Sequence, residues 1–268
     1  MTMKRIATLI AGGALVVVAS MIPSTSRAQA VARRIASVGS GKVRMTYASR
    51  PDICGSGNSI SHGGNSRMNW SSDYNPDVEY DDECSHSPVR LVLDVDGGRV
   101  TKIRTYVGGR WRPAASGVTD IGAVSARDAT DFLLGLAATD AGSVGRDAIL
   151  PATLADSVVV WPPLFKIARN DDRPVGTRKQ ALFWLGQAAG DRIAGSRSYT
   201  AKDDDATEVK KSAVFALSQR HNGEAVPALI EVARNNHDPE VRKSALFWLG
   251  QTSDPRAISL FEEILSAR

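Results

Sequence analysis

One heptapeptide occurs twice in the C-terminal half of the chain, as Ala181-Leu-Phe-Trp-Leu-Gly-Gln187 and as Ala245-Leu-Phe-Trp-Leu-Gly-Gln251. A related segment, Ala213-Val-Phe-Ala-Leu-Ser-Gln219, lies midway, so the three alanines are 32 residues apart each time. A weaker copy, Val144-Gly-Arg-Asp-Ala148, comes before them. Self-similarity at a fixed period of roughly 20–50 residues indicates a repeat architecture. We therefore expect about four repeats in residues 118–268.

Each repeat has the sequence pattern of two helices. The tripeptide Asp238-Pro239-Glu240 predicts a helix start, because Asp can cap free N–H groups and Pro fits the first turn. Val241, Ala245 and Leu249 then share one face at helical spacing. The other helix of this unit is predicted at 225–235, and a last helix is expected at 257–267.

The segment 238–250 follows the pattern Asp-Pro-x-Val-Arg-x-x-Ala-x-x-x-Leu-Gly and resembles the short HEAT-like repeats of the phycobilisome-lyase type. This resemblance implies an α-solenoid, in which each repeat buries its apolar face only against its neighbours. It carries little information about function, because such repeats serve many tasks. One enzymatic branch of the class binds iron through His-Glu dyads. Here His221 is followed by Asn222 and His237 by Asp238, so those ligands are missing and we expect no cofactor.

A stripe of three residue types recurs on the second helix of the last three repeats. Residues at i, i+4 and i+8 share a helix face, and at this spacing each of these three units carries Lys, Phe and Gln. The nine positions are Lys179, Phe183, Gln187, Lys211, Phe215, Gln219, Lys243, Phe247 and Gln251. We expect this stripe to bind a protein or peptide, with apolar contact from Phe and hydrogen bonds from Gln. The alternative is that the Phe side chains simply pack against adjacent units.

The region before residue 118 has the pattern of a small, mainly β domain. Alternating residues predict strands at 42–48, 89–95 and 99–107. A turn is expected at Asp96-Gly97-Gly98. A polar insert, 50–88, separates the first two strands. The fold class is therefore α+β, mainly α, with a small β-rich domain at 31–117 and a HEAT-like α-solenoid at 118–268.

Cys54 and Cys84 bracket this insert, and in an exported protein the default is a disulfide. The alternative is a metal-binding site or metal-dependent enzyme centred on residues 54–86, because His62 and His86 could complete a tetrahedral zinc site. The acidic run from Asp73 also invites a calcium interpretation, but Val78 stands where an EF-hand-like loop needs Gly. A solvated acidic loop is the simpler interpretation.

The first thirty residues have the pattern of a signal peptide. Lys4 and Arg5 precede an uncharged apolar run, and Ala28-Gln29-Ala30 fits a small-x-small cleavage site. The alternative is an uncleaved membrane anchor. We expect cleavage after Ala30 and export to the periplasm or the extracellular space, with no membrane span in the mature chain.

Charge disfavours a nucleic-acid partner. The whole chain has 33 Lys and Arg against 29 Asp and Glu, a net charge of +4. Removal of residues 1–30 leaves 30 basic and 29 acidic residues, a net charge of +1. Basic patches are the footprint of nucleic-acid binding. The sequence also contains no clustered catalytic set. It therefore predicts a non-catalytic binding or scaffold protein of the cell envelope.

Overall fold

The computed structural model of the chain describes residues 25–57, 59–62, 70–71, 75–81, 83–194, 210–211, 214–215, 217–219 and 222–267. The strands are β1 (Gly41–Tyr47), β2 (Ile53–Gly55), β3 (Ser59–His62), β4 (Trp70–Ser71), β5 (Val78–Glu79), β6 (Val89–Asp96), β7 (Arg99–Val107), β8 (Arg110–Trp111) and β9 (Val118–Ala123). The main sheet has the order β7-β6-β1-β9. Strands β1 and β6 and strands β6 and β7 pair antiparallel, whereas β1 and β9 pair in parallel. The three predicted strands are therefore confirmed, and β9 extends the sheet beyond residue 117.

Alternation along β1 gives the sheet two different faces. Val43, Met45 and Tyr47 are buried in the main apolar core. On the opposite face, Arg44 forms an ion pair with Asp120 at 2.7 Å and lies over the ring of Trp111. One face is thus apolar and covered by helices, and the other carries charged pairs and aromatic rings.

The hairpin between β6 and β7 forms where the sequence predicts a turn. Asp96 pairs with Arg99, which leaves the two-residue loop Gly97-Gly98. Both glycines have positive φ, 54° and 73°. A two-residue hairpin whose two central residues both need positive φ strongly favours glycine.

The helices are α1 (Thr25–Ala36), α2 (Ala126–Thr139), α3 (Ser143–Asp147), α4 (Ile149–Thr153), α5 (Trp161–Arg169), α6 (Val175–Ala194), α7 (Asn222–Asn235), α8 (Pro239–Gly250) and α9 (Pro255–Ser266). Asp238 caps α8 by accepting a hydrogen bond from the backbone N–H of Glu240 at 2.9 Å, as the sequence predicts. Asp254 caps α9 in the same way through the N–H of Arg256. The described residues at 210–211, 214–215 and 217–218 are also helical.

The sheet and the helices share one apolar core. Its buried members include Val31 in α1, Val43 in β1 and Leu265 in α9. The phenol of Tyr47 donates a hydrogen bond to the carbonyl oxygen of Pro151 at 2.7 Å, which ties the end of β1 to α4. Ser49 and Ala155 form a further antiparallel bridge. The chain therefore contains both helices and a sheet, joined through a buried contact.

Two predicted boundaries fall inside this architecture. The predicted cleavage point after Ala30 lies within α1, whose Val31 and Ile35 are buried against the core. The boundary expected at residue 117 lies just before β9, an edge strand of the sheet. Signal cleavage and the two-domain division stay predictions.

Candidate functional site

The two copies of the heptapeptide lie in α6 and α8, and these helices pack directly on each other. A Cβ atom added to Gly186 would lie 2.9 Å from the carbonyl oxygen of Leu246 and 3.0 Å from the Cα of Gly250. A Cβ atom added to Gly250 would lie 3.3 Å from the carbonyl oxygen of Leu182. The backbones therefore cross at their glycines.

The contacts at this crossing are reciprocal. Gly186 lies against Leu246, and Gly250 lies against Leu182. The two glycines occupy the same position of the heptapeptide, and so do the two leucines. The same face of the same sequence is used on both sides, which is the contact pattern of a local two-fold relationship. In a stack of repeats in sequence order, by contrast, each helix presents different faces to the units before and after it. Among the described residues, helix α6 packs on a helix two repeats away, and the solenoid stays a prediction.

Five aromatic residues of the described chain form a chain of ring contacts beside this crossing. Phe183 and Phe247 are 6.1 Å apart between ring centroids in an edge-on arrangement. Phe183 also contacts Trp184 at 5.2 Å, and Phe247 contacts Trp248 at 4.9 Å. Phe215 completes the group by packing on Trp248 at 5.1 Å. We call these five residues the aromatic cluster.

The members of the predicted stripe differ widely in exposure. The ring of Phe215 is exposed, with 48% of the residue surface accessible, whereas Phe183 and Phe247 are half-buried. Gln187 is buried and lines a cavity of about 300 Å³ together with Trp161 and Trp184. The remaining stripe residues are exposed or half-buried: Lys179, Lys211, Gln219, Lys243 and Gln251. The structure brings the three Phe rings into one cluster and leaves Phe215 as its most exposed member.

The role of the glycines was not predicted from the sequence. Gly186 and Gly250 stand at the same position of the two identical heptapeptides, and the middle copy has Ser218 there. A small residue at a fixed place in a helical repeat allows two backbones to approach closely. That signal was present, but it did not identify the partner helix.

The disulfide between Cys54 and Cys84 is confirmed, with an S–S distance of 2.01 Å. Each sulfur is bonded to the other, so neither is available as a thiolate ligand for a metal. Nδ1 of His86 contacts the carbonyl oxygen of Ile53 at 2.9 Å. The side chain of His62 and residue Asp73 lie outside the described residues. Within the described part of the chain, no three His, Cys, Asp or Glu side chains are grouped to hold a metal ion.

Among the helices of the described ranges, none is both long and apolar enough to cross a membrane. Residues 1–24 of the predicted signal peptide lie outside the described ranges.

Comparison with known proteins identifies the C-terminal repeats. The model of the HEAT-repeat family matches residues 197–268, which include α7, α8 and α9. The predicted HEAT repeats are confirmed for this segment; the phycobilisome-lyase subtype stays a prediction. No curated protein and no solved structure was found to match the chain. HEAT repeats are commonly protein-interaction or scaffold elements, which is compatible with a non-catalytic binding role.

Proposed function

We propose that this protein is a non-catalytic binding or scaffold protein that holds a peptide segment of a partner protein on the aromatic cluster. The observation that carries the proposal is the exposure of Phe215 beside Trp248. An aromatic side chain held in place by a second ring loses little conformational freedom on binding. Such rigid aromatic side chains are frequent energetic hot spots of protein interfaces.

The stripe residues around the cluster define the chemistry of the partner segment. A lysine precedes each of the three Phe residues by four positions, and Lys179 is exposed. An apolar side chain of the partner would cover Phe215, and a neighbouring carboxylate would lie near Lys211, which is four positions before Phe215 in the sequence. The exposed amides of Gln219 and Gln251 can pair with peptide N–H and C=O groups. We therefore propose a peptide with an apolar anchor flanked by acidic residues.

The proposed location is the cell envelope, after export. The charged and apolar pattern of the first thirty residues supports export. The Cys54–Cys84 disulfide is consistent with export, because disulfides persist in oxidising compartments. N-terminal sequencing of the protein from its native cells tests this step: Val31 as first residue is expected, and an N-terminus at Met1 or Thr2 would contradict it.

A peptide-display selection on the purified protein tests the binding function without knowledge of the partner. We expect enrichment of sequences that combine an apolar anchor with Asp or Glu. Counter-selection on Phe215→Ala should remove the enriched family. Val175→Ala is the matched control, since Val175 is also exposed, at 55%, but lies at the first residue of α6. A family that binds Phe215→Ala as well as it binds the control would exclude this surface.

A further inference from the structure

A second site lies far from the helical repeats along the chain, where the disulfide-tied segment meets the turn between β7 and β8. The structure has here an open cavity of about 630 Å³. The lining side chains used below are Asp81, Glu83, His86, Arg90 and Arg110. Nothing in the proposed peptide-binding function uses this cavity.

Arg90 is the most unusual residue of the cavity, because only 8% of its surface is exposed. Its Nη1 donates hydrogen bonds to the carbonyl oxygens of Gly108 and Pro88, at 2.9 and 3.2 Å, and to the hydroxyl of Ser87. Its Nε is buried, and the described part of the chain offers it no hydrogen-bond partner. All three acceptors are neutral, so none of these hydrogen bonds places a negative charge beside the buried guanidinium of Arg90. Buried polar groups are almost always paired, and an exception requires an explanation.

The carboxylate of Asp81, whose negative charge favours the charged form of Arg90, already accepts hydrogen bonds from other groups. Oδ2 of Asp81 accepts hydrogen bonds from the hydroxyl of Ser85 at 2.6 Å and from the N–H of Gly109 at 2.7 Å. These two bonds hold the pKa of Asp81 below its ordinary value. None of the ion pairs among the described residues joins Asp81 to Arg90. Asp81 therefore lowers the cost of burying Arg90 from a distance, without a described ion pair between the two side chains.

The walls of the cavity are held rigidly. The disulfide fixes Cys84 to β2, and Ser85 exchanges backbone hydrogen bonds with Gly55. A Cβ atom at Gly108 would lie 2.1 Å from the carbonyl oxygen of Gly55, so the two segments are in close backbone contact. A site whose walls are fixed before binding loses little entropy when a ligand arrives.

We infer that this cavity binds a carboxylate, with Arg90 as its central contact. A guanidinium can pair with the two oxygens of a carboxylate, and Arg90 lines the cavity. Arg110, which is exposed on the same wall, adds a second positive charge. Asp81 and Glu83 line the same cavity and repel negative charge, which favours a singly charged carboxylate over a doubly charged phosphate. The carboxylate belongs either to a small free acid or to the C-terminus of a peptide.

Arginine side-chain NMR of the full chain gives a direct test. Acetate is titrated against chloride at equal ionic strength while the Nε–H signals are followed, with Arg90→Lys used to assign Arg90. We expect a saturable shift of the Arg90 signal with acetate and none with chloride. Arg110→Gln should weaken acetate binding about tenfold, the effect of losing about 1.4 kcal/mol. Arg127→Gln, an exposed arginine on α2, is the control and should leave the affinity unchanged.

Two further measurements distinguish a small free acid from the C-terminus of a peptide and define the results that would overturn the inference. Triglycine that binds more tightly than acetate, with loss of binding in its C-terminal amide, would identify a peptide terminus. Equal affinities for acetate and triglycine would identify a free acid. An Arg90 signal that moves no more with acetate than with chloride would overturn the inference, as would unchanged affinity in Arg110→Gln. Because Arg110 is exposed, this second criterion holds even where Arg90→Lys does not fold.

Discussion

Gly186 of α6 and Gly250 of α8 face each other at the point where the two helices cross, and each lies against the backbone of the other helix. Phe261 of α9 is fully buried over the same point, with its Cζ 3.2 Å from where a Gly186 Cβ would lie. The crossing positions the aromatic cluster, because Phe183 and Phe247 each come shortly before one of the two glycines. The surface proposed for binding therefore depends on the absence of two side chains.

The first prediction concerns Gly186→Ala. The new methyl group meets the carbonyl oxygen of Leu246, so the helices must separate. Overpacking of this kind costs about 1–3 kcal/mol. Urea unfolding of the purified variant measures the loss. Gly135→Ala is the control, since Gly135 lies in α2 with open space around it, and there alanine should be neutral or stabilise by up to about 1 kcal/mol. Equal stability of Gly186→Ala and the wild type would refute the close crossing.

The second prediction concerns the disulfide. Cys54 and Cys84 are 30 residues apart in sequence. The chain-entropy model assigns about 3–4 kcal/mol to a bond that closes a loop of this length. Urea unfolding of the double variant Cys54→Ser/Cys84→Ser should show this loss relative to the oxidised wild type. A loss below about 1 kcal/mol would mean that the insert is held by its other contacts.

The third prediction concerns the buried phenol that joins the sheet to the helices. Tyr47→Phe leaves the carbonyl oxygen of Pro151 without its donor and should cost about 1–2 kcal/mol at neutral pH. Burial raises the pKa of Tyr47 above its ordinary value of 10.0. The folded state therefore retains the phenol proton more strongly than the unfolded state, and the stabilisation by Tyr47 is present below pH 10 and lost as the pH rises further.

Unfolding measured across the alkaline range checks this sign. The stability difference between wild type and Tyr47→Phe should shrink as the pH rises beyond about 10. A difference that stays constant to high pH would show that Tyr47 ionises equally easily in both states.

Local features of the fold could be predicted because they depend on neighbours in sequence. Strand alternation and the Gly97-Gly98 turn identified the β6–β7 hairpin. Asp238 and Pro239 identified the start of α8. The disulfide followed from the presence of two cysteines and the expectation of export. Each of these features depends on a short sequence pattern or on a pairing that has few alternatives.

Long-range packing could not be predicted from the same patterns. The apolar face of α8 was recognised, but periodicity does not say which helix covers it, and its partner α6 lies two repeats away. Strand β9 was missed because its parallel partner β1 is far away in sequence. Phe183, Phe215 and Phe247 occupy equivalent repeat positions, yet only the tertiary arrangement makes Phe215 more exposed than the other two.

The most direct measurement of the central claim is the affinity of one display-selected peptide for two variants of the folded protein. Isothermal titration with Phe215→Ala and Val175→Ala compares a residue of the aromatic cluster with an equally exposed apolar residue outside it. Loss of a hot-spot aromatic side chain weakens binding by about tenfold or more. We predict that loss for Phe215→Ala and a change below about twofold for Val175→Ala. Equal affinity of the two variants would contradict a binding site centred on Phe215.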